Sequence, residues 1–507
     1  MSTIALATIN ARYYHASLGL RYLLANMGEL QSETQIFEFI LQQKPVDIVE
    51  SLLTAQPKII GLGVYIWNIE ESTKVVALLK RVAPEVIVVL GGPEVSYECN
   101  EQEIVKLADY VITGWGDVSF PKLCNELLSQ RPQAQKIIAG EQPTLSAIKM
   151  PYALYNDNDV AQRLIYVEAS RGCPFKCEFC LSSLDKTAWA FDLDLFLEEM
   201  ARLYDRGTRQ FKFVDRTFNL NIKASSRILE FFLERLDEKL FVHFEVIPDH
   251  LPDQLKALIA RFPEGSLQFE IGIQTLNPEV QALISRKQDT PKAATNLHWL
   301  RTQSHAHIHA DLIIGLPGED MASFARGFNQ LVEIGPHEIQ VGILKRLRGT
   351  PIVRHTERFQ MRYNPHPPYN ILATDLIDFP TMQRLSRFAR YWDLIANSGR
   401  FPTTMPMILG TSPFEHFLTL SDWLYAKTRQ THQIALERLF DLIHAALQSE
   451  LNISQADATV CLAHDYAISG ARGAPKFLEA LSQTDTTAES RKKTKSHATR
   501  QARHIAA

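Results

Sequence analysis

The segment RGCPFKCEFC (171–180) carries three cysteines in a C-x3-C-x2-C spacing. Thiolates are soft ligands that suit zinc or an iron–sulfur cluster. Structural zinc takes four protein ligands, usually from paired C-x2-C motifs, whereas this loop supplies three thiols and contains no histidine. On a four-iron cluster, three thiolates would leave one iron open to bind a substrate or cofactor, which is typical of a catalytic metal site. We therefore predict that Cys173, Cys177 and Cys180 are catalytic cluster ligands. The alternatives are three cysteines that lie together by chance and a zinc loop closed by a distant histidine.

The cysteine loop directly follows a strand-like run, and more such runs continue beyond it with helical segments between them. The runs are LIYVEAS (164–170), QFKFVDRTFN (210–219), FVHFEVIPD (241–249), SLQFEIGIQT (266–275), HIHADLIIGLP (307–317) and EIQVGILK (338–345). Strands that alternate with helices of this length predict βα units and a parallel sheet. Six units in about 185 residues are too few for a closed eight-fold barrel. We expect a partial (β/α)6 barrel over 163–355, with its site at the carboxyl ends of the strands.

The N-terminal region, 1–143, also alternates apolar runs with amphipathic segments. Its runs are IALATIN (4–10), QIFEFI (35–40), KIIGLGVYIW (58–67), EVIVVLGGP (85–93) and DYVITGWG (109–116). In open α/β sheets ligands bind beyond the carboxyl ends of the strands, where the glycine-rich turns at 91–93 and 114–116 fall. This pattern predicts a Rossmann-like, flavodoxin-like binding domain. Because no G-x-G-x-x-G follows the first strand, a dinucleotide is not the expected ligand.

The remaining regions differ from these two in composition. Residues 144–162 are polar and contain Pro151, so we interpret them as a linker. Residues 356–481 contain three long helical patterns and predict a mostly α-helical accessory domain. The last residues, 482–507, are rich in Ser and Thr and carry more basic than acidic side chains. Such a tail should be disordered, with a solvated end as the expected state and contact with RNA as the alternative.

Overall composition sets limits on the class of protein. The 507 residues are 46 % hydrophobic and 22 % charged, as in ordinary folded globular proteins. A net charge of -4 excludes a chain that is basic throughout, as a nucleic-acid coat protein would be. No apolar stretch reaches the length of about 18 residues that a membrane span needs. The N-terminus, MSTIALATIN, lacks a basic region and a cleavage site, so we expect a cytoplasmic protein.

The cysteine loop resembles the cluster loop of the radical S-adenosylmethionine (SAM) enzymes. In that family three cysteines hold a [4Fe–4S] cluster, the open iron binds SAM, and SAM cleavage gives a 5′-deoxyadenosyl radical that abstracts hydrogen from substrate. VDRTFN (214–219), GIQTLNPEVQALISRKQ (272–288) and ADLIIGLPGE (310–319) resemble the family's SAM-binding segments in the same order. The SAM contacts that this resemblance implies are Phe179, Asp215, Glu245, Gln274, Arg286, Gly315 and Pro317. Taken singly, a turn cap at Asp215, a solvated Arg286 and a plain turn at 315–318 are the alternatives.

A Rossmann-like domain ahead of a radical SAM domain resembles the cobalamin-binding subclass. GGPEVS (91–96) and ADYVITGWGDVSFPKL (108–123) resemble the fourth and fifth strands of its binding domain. The implied cobalamin contacts are Asn10, Tyr65, Trp67, Gly91, Gly92, Pro93, Gly114 and Gly116. A generic flavodoxin-like domain, with Tyr65 and Trp67 as ordinary core, is the alternative. The D-x-H-x-x-G motif of domains that ligate cobalt through histidine is incomplete around His15, so we expect cobalt without a protein ligand.

The resemblance implies a [4Fe–4S] cluster, SAM and cobalamin as cofactors, and it favours a methyltransferase that acts on an unactivated carbon. The alternatives are a non-methylating enzyme, similar to anaerobic oxidative cyclases or ring-rearranging relatives, and a cobalamin- or SAM-binding sensor without turnover. An electron donor such as flavodoxin or ferredoxin is the expected partner. The substrate stays unidentified, because the basic run KRLR (345–348) would suit RNA, a phosphorylated group, a carboxylate or plain solvation. The helical region resembles a domain of unknown function that accompanies a bacterial subset of these proteins.

Overall fold

The structure is a computed structural model that describes residues 3–131, 133–185, 187–471, 473–478 and Arg500. The chain forms two compact units. The first comprises residues 1–245, 345–354 and 364–370, and the second comprises residues 246–344, 355–363 and 371–507. Most of the predicted tail, 482–499 and 501–507, lies outside the described residues.

The first unit begins with a parallel sheet that has helices on both faces. Its strands are β1 (Ile4–Asn10), β2 (Thr34–Ile40), β3 (Ile59–Gly63), β4 (Ile87–Gly91), β5 (Tyr110–Thr113) and β6 (Ile137–Ala139). Its helices are α1 (Leu18–Ala25), α2 (Pro45–Thr54), α3 (Ile69–Val82), α4 (Glu103–Leu107) and α5 (Ser119–Leu128). The strand order is β2-β1-β3-β4-β5-β6, the flavodoxin-like order. Every residue of β1 is buried, as a strand covered on both faces requires.

The rest of the first unit contains the start of the second strand series. Its elements are α6 (Asp157–Gln162), β7 (Ile165–Val167), β8 (Ser170–Arg171), β9 (Trp189–Ala190), α7 (Leu193–Asp205), β10 (Gln210–Phe213), α8 (Ile222–Leu233) and β11 (Phe241–Val246). Strand β10 pairs in parallel with both β7 and β11. Strands β8 and β9 form a short antiparallel pair around the cysteine loop.

The second unit contains three further parallel strands and the C-terminal helices. Its strands are β12 (Leu267–Gln274), β13 (His307–Ile314), β14 (Glu338–Ile343), β15 (Arg362–Tyr363) and β16 (Ile371–Ala373). Its helices are α9 (Asp253–Ile259), α10 (Pro278–Leu283), α11 (Thr290–Gln303), α12 (Met321–Ile334), α13 (Phe379–Ile395), α14 (Met405–Leu409), α15 (Pro413–Thr428), α16 (Leu436–Ser449) and α17 (Gln455–Ile468). Burial alternates along β12, so one face of that strand is apolar and covered while the other is polar.

Each predicted run forms a strand, but several strands end earlier than the apolar run does. The run 85–93 yields only β4, because Gly92 has a φ of 107° and turns the chain before Pro93. The segment 144–162 contains α6 and the buried side chains of Tyr152 and Tyr155, so it packs into the first unit. Its polar composition did not reveal these two aromatic anchors.

Four buried charges connect the first sheet to the segment around α6. Arg21 Nη2 lies 2.9 Å from Glu38 Oε2 and 2.7 Å from Asp159 Oδ2. Arg163 Nη1 lies 2.7 Å from the same Glu38 oxygen and 3.1 Å from Asp159 Oδ1. Burial alone would raise the pKa of Glu38, but the neighbouring Arg21 overrides it and the pKa falls below its usual value. Because each charge has partners of opposite sign, the group is stable only when complete.

A second buried polar group lies in the second unit, where β12 ends. Thr275 Oγ1 donates to Glu319 Oε1 at 2.7 Å, and Ser323 Oγ donates to the same oxygen at 3.3 Å. Among the described residues, Glu319 Oε2 has no hydrogen-bond partner. Burial therefore raises the pKa of Glu319 to about 7.

No helix in the described part of the chain is long and apolar enough to cross a membrane.

We predict that Asp159→Asn lowers the free energy of unfolding by about 3 kcal/mol, because the two buried arginines then share Glu38 as their carboxylate partner. Urea unfolding followed by circular dichroism measures this change. The matched control is Asp157→Asn on the same helix, whose ion pair with Arg206 is exposed and should contribute less than about 1 kcal/mol. Equal effects of the two substitutions would contradict the prediction.

We predict that Glu319→Gln changes how unfolding depends on pH. The folded state holds the Glu319 proton up to about pH 7, whereas the unfolded carboxyl loses it near 4.5, so this group lowers native stability as pH rises between those values. Glu319→Gln removes this titration. The free energy of unfolding of the variant should therefore rise by about 3 kcal/mol relative to that of the natural protein from about pH 5 to about pH 8. The free energy of unfolding of both proteins is measured at several pH values across that range. The same pH dependence in both proteins would refute this assignment.

Candidate functional site

The cysteine loop is closed at its base by backbone contacts. Cys173 N donates to Asp185 O at 2.9 Å, and the β8–β9 pair joins Arg171 to Trp189 beside it. Gly172 has a φ of 88°, and a Cβ there would lie 2.7 Å from Thr187 Oγ1. Only glycine fits this position, which explains the glycine immediately before the first cysteine.

The three thiols of the loop lie near one another without forming a disulfide. Cys173 is buried, and Cys177 and Cys180 are half-buried. Burial raises the pKa of the Cys173 thiol, and the nearby Cys180 and Cys177 raise it further. Within the described ranges, no three His, Cys, Asp or Glu side chains converge on a point that would hold one metal ion.

Arg171, two residues before Cys173, occupies a cage of aromatic rings and carboxylates. Its Nη1 donates to Asp117 Oδ2 at 2.9 Å and its Nε donates to Glu168 Oε1 at 2.7 Å. The guanidinium carbon lies 4.3 Å from the ring centroid of Tyr22 and 5.0 Å from that of Trp115. Burial raises the pKa of Glu168, and Arg171 opposes that rise. The cage connects the loop after β5 to the start of the cysteine loop.

A cavity of about 840 Å³ lies at the carboxyl edge of the first sheet. Among the residues that line it are seven of the predicted cobalamin contacts: Asn10, Tyr65, Trp67, Gly91, Gly92, Gly114 and Gly116. The cavity is also lined by residues of the second strand series: Tyr166, Glu168, Ser170, Arg171, Gly172, Val214 and Arg216. The cavity thus joins the glycine-rich strand ends to the residues that lead into the cysteine loop.

The strand-end loops around this cavity are held by the side chain of Asn68. Its amide donates to Ile9 O at 3.0 Å and to Gly63 O at 3.2 Å, and its oxygen accepts from Tyr65 N at 2.8 Å. Tyr65 and Trp67 stack with ring centroids 4.4 Å apart, and Trp67 is 46 % exposed. Pro93 begins a short 3-10 turn and is not among the cavity-lining residues.

Asn10 and His15 line the same cavity but take part in internal hydrogen bonds. Asn10 Nδ2 donates to His15 O at 2.9 Å and to Glu38 Oε1 at 3.0 Å. His15 Nδ1 lies 2.5 Å from the Tyr166 hydroxyl. Burial and the nearby cations Lys212, Arg12 and Arg163 lower the pKa of His15, which favours the neutral ring.

Three of the predicted SAM contacts belong to the first unit. Phe179 is half-buried within the cysteine loop. Asp215 is buried and accepts from Ala169 N at 3.0 Å and from Ser170 Oγ at 2.5 Å, and burial raises its pKa to about 7. Glu245 pairs through both oxygens with Arg216 Nη1, each at 2.9 Å. Asp215 therefore supports the chain that enters the cysteine loop, whatever else it contacts.

The other four predicted SAM contacts belong to the second unit. Gln274 has a φ of 69° and ends β12 at a bulge. Arg286 donates to Gly272 O and, at 3.1 Å through Nε, to Gln288 Oε1. Gly315 has a φ of 87°, and a Cβ there would lie 2.5 Å from Ile371 Cγ2. Because Ile371 approaches Gly315 so closely, the turn that begins at Gly315 and contains Pro317 is tightly packed.

Several residues that shape the site were not singled out by the sequence. Asp117, Glu168, Arg171 and Arg216 carry the charge at the cavity wall, and no local motif distinguishes them from solvated side chains. The position of Arg171 beside Gly172 and Cys173 was the one available signal. The structure also shows what the basic run KRLR contacts. Arg346 and Arg348 form ion pairs with Glu98 inside the first unit.

Comparison with protein families assigns most of the chain to three domains. Residues 4–124 match the B12 binding domain, and residues 167–330 match the radical SAM superfamily. Residues 357–506 match a protein family of unknown function, DUF4080. These matches confirm the resemblance in each of its three parts and imply a [4Fe–4S] cluster, SAM and cobalamin as cofactors.

Curated relatives of the chain include methyltransferases. An uncharacterized methyltransferase of Pyrococcus horikoshii, PH0819, is 26 % identical over 60 % of this chain and 70 % of its own length. The cobalamin-dependent radical SAM methyltransferase TokK of Streptomyces tokunonensis is 25 % identical over 57 % of this chain. That match spans only 47 % of TokK, so the activity of the whole relative is not transferred by it.

A solved structure shows the same fold over nearly the whole chain. The cobalamin-dependent SAM radical enzyme OxsB, with aqua-cobalamin bound, superposes with a TM-score of 0.61. The match covers 96 % of this chain and 81 % of OxsB at 13 % identity. This confirms the predicted α/β fold class with its helical C-terminal region.

The residues present fit the cofactors that these families imply. In a [4Fe–4S] cluster each cysteine binds a different iron, so three free thiols that lie near one another in one loop suit it. Glycines at the carboxyl edge of the first sheet leave room for a large ligand, since a Cβ at Gly114 would meet no atom within 4 Å. The chain thus combines a B12 binding domain, a radical SAM domain and a C-terminal DUF4080 domain.

Proposed function

We propose that this enzyme transfers a methyl group to an unactivated carbon of its substrate. The observation that carries the proposal is the shared cavity, which the glycine-rich edge of the first sheet and the residues leading into the cysteine loop line together. Chemistry that passes from a SAM-bound cluster to cobalamin needs both cofactors to face one substrate space. When bound, the cluster and SAM supply a 5′-deoxyadenosyl radical, and cobalamin supplies the methyl group.

The chain's own residues hold, orient and shield these groups. Cys173, Cys177 and Cys180 would hold the cluster, while Gly91 and Gly114 would allow the corrin to approach the strand ends. Trp67 presents a broad exposed face to the cavity, which suits packing against a flat macrocycle. The rings of Tyr22 and Trp115 pack over Arg171 at the cavity wall and would hold this wall between the two cofactor regions in place. The predicted contacts Phe179, Asp215, Glu245, Gln274, Arg286, Gly315 and Pro317 remain our proposal for SAM.

The remaining parts of the proposal concern organisation and partners. We assign cobalamin binding to residues 1–143, radical chemistry to 163–355 and substrate selection to the helical region 356–481. An external one-electron donor of the flavodoxin or ferredoxin type would reduce the cluster. The cytoplasm, where thiols stay reduced, is the compartment we propose. The ion pairs of Arg346 and Arg348 give no support to an RNA substrate at the KRLR run.

We predict that Cys177→Ala abolishes SAM cleavage. The protein is purified without oxygen, reconstituted with iron, sulfide and hydroxocobalamin, and given SAM with a strong reductant. Mass spectrometry should detect 5′-deoxyadenosine from the natural protein and only background from the variant. The matched control is Cys461→Ala, a half-buried thiol on α17, which should keep full cleavage.

The products in the same assay separate the competing functions. S-adenosylhomocysteine and methylcobalamin, formed together with 5′-deoxyadenosine, support methyl transfer. Sustained 5′-deoxyadenosine without either product would refute it in favour of a non-methylating enzyme. A protein that holds its full iron and cobalt but cleaves no SAM, with or without candidate substrates, would behave as a sensor.

We predict that Gly91→Leu weakens cobalamin binding by about tenfold or more, equal to about 1.4 kcal/mol. A Cβ at Gly91 would meet no atom closer than 3.9 Å, so the backbone tolerates the change while the longer side chain enters the cavity. Equilibrium dialysis with hydroxocobalamin measures the affinity. Gly91→Ala should bind nearly as well as the natural protein, and both variants should keep their iron content. Unchanged affinity in Gly91→Leu would place cobalamin elsewhere.

A further inference from the structure

The segment KRLRGTPIVR (345–354), which we call the strap, follows β14 in sequence but packs within the first unit. It contains the basic run whose role the sequence left open. The strap contacts the loop after β4, which lines the cavity, and also the cysteine loop. Its two ends therefore touch two regions that the proposed function assigns to different cofactors.

The first half of the strap holds the loop after β4 through charged hydrogen bonds. Arg348 Nε lies 2.9 Å from Glu94 Oε1, and its Nη1 lies 3.1 Å from Glu98 Oε2. Arg346 Nη2 lies 2.9 Å from Glu98 Oε1. Glu94 is 4 % exposed, so its charge depends on these partners. Tyr369 adds a hydrogen bond to Glu94 at 2.7 Å.

The middle of the strap approaches the same loop closely. Gly349 has a φ of 78°, and a Cβ there would lie 2.3 Å from the ring of Tyr97. Its backbone N also lies 3.4 Å from Glu98 Oε1. A side chain at this position would displace either the strap or the loop after β4, so the two segments are fitted to each other.

The second half of the strap holds the cysteine loop. Ile352 N donates to Glu178 O at 3.0 Å, and Arg354 forms an ion pair with the Glu178 carboxylate. Glu178 stands between Cys177 and Phe179 and is 2 % exposed. The strap thus binds both the backbone and the side chain at the centre of the cluster-binding motif.

The loop after β5 is tied to the other side of the cysteine loop. Arg171 pairs with Asp117, and Trp115 Nε1 donates to Asp185 Oδ2 at 3.1 Å. Asp185 O in turn accepts from Cys173 N. The loop after β5 therefore contacts the cysteine loop directly, whereas the loop after β4 reaches it through the strap.

We propose that the strap is a positioning element that couples cobalamin binding to the cluster and SAM site, with Arg348 as its central residue. This inference rests on the proposed cobalamin function. A ligand that orders the loop after β4 also orders the strap, and the strap then holds the cysteine loop in one arrangement. Since coupling is reciprocal, cobalamin and SAM tighten each other's binding by the same factor.

The test uses the full chain with its cluster reconstituted, with and without hydroxocobalamin. The first readout is hydrogen–deuterium exchange of peptides covering 171–185, and the second is SAM affinity by equilibrium dialysis. In the natural protein, hydroxocobalamin should slow exchange in these peptides and tighten SAM binding about tenfold. In Arg348→Met, hydroxocobalamin should change the exchange rate and the SAM affinity by less than about twofold. Arg348→Lys should restore part of each effect.

The matched control is Arg384→Met, which breaks an ion pair with Asp422 in the second unit and should leave the coupling intact. Equal slowing of exchange and equal SAM tightening in Arg348→Met and the natural protein would overturn the inference. So would a natural protein that binds hydroxocobalamin with no effect on SAM affinity, although the proposed function would survive that result. A natural protein that does not bind hydroxocobalamin would overturn both.

Discussion

The pairing of the half-buried Arg171 guanidinium with two carboxylates is the interaction on which the arrangement of the site depends. It is paired with Asp117 in the loop after β5 and with Glu168 at the end of β7, inside an aromatic cage. A half-buried cation with two carboxylate partners has few alternative positions, because losing either partner leaves charge that is only partly solvated. Arg171 also leads directly into the cysteine loop, so this one residue sets where the metal-binding motif begins relative to the cavity.

The sheets and the site are stabilised by different physical effects. Apolar burial builds the strands, as in β1, where every residue is covered. The strand-end loops instead carry polar and charged groups held by specific partners. Asn68 bonds to the backbone at the ends of β1 and β3. Glu38, Arg21, Asp159 and Arg163 pair with one another beside α6. Apolar cores tolerate exchange of similar residues, whereas these charged contacts require a particular partner at a particular distance. The positions of the loops that line the cavity are therefore fixed by these polar and charged contacts.

Sequence patterns predicted the strands well and the partners of charged residues poorly. Strand-like runs and glycine-rich turns are local features, so the amino-acid order alone was enough to place the ends of 85–93 and 109–116 at the carboxyl edge of the sheet. The KRLR run has the same local appearance whether it binds phosphate or pairs internally, and only the fold brings Arg348 beside Glu94. Asp215 likewise sits in a segment that resembles a SAM-binding strand, yet its buried carboxylate supports Ala169 and Ser170. The polar segment 144–162 concealed two fully buried tyrosines for the same reason.

The sequence by itself determined the class of chemistry, because the spacing of Cys173, Cys177 and Cys180 and the order of the motifs after them are properties of the chain alone. It also determined the alternation of strands and helices, since periodicity and glycine positions act over a few residues. Only the tertiary structure decided which charges meet. Residues 117 and 171, and residues 94 and 348, are far apart along the chain, and their contacts arise when the folded strands bring distant loops to one edge. Long-range pairing has no local signal, so the cavity wall and the strap became visible only in three dimensions.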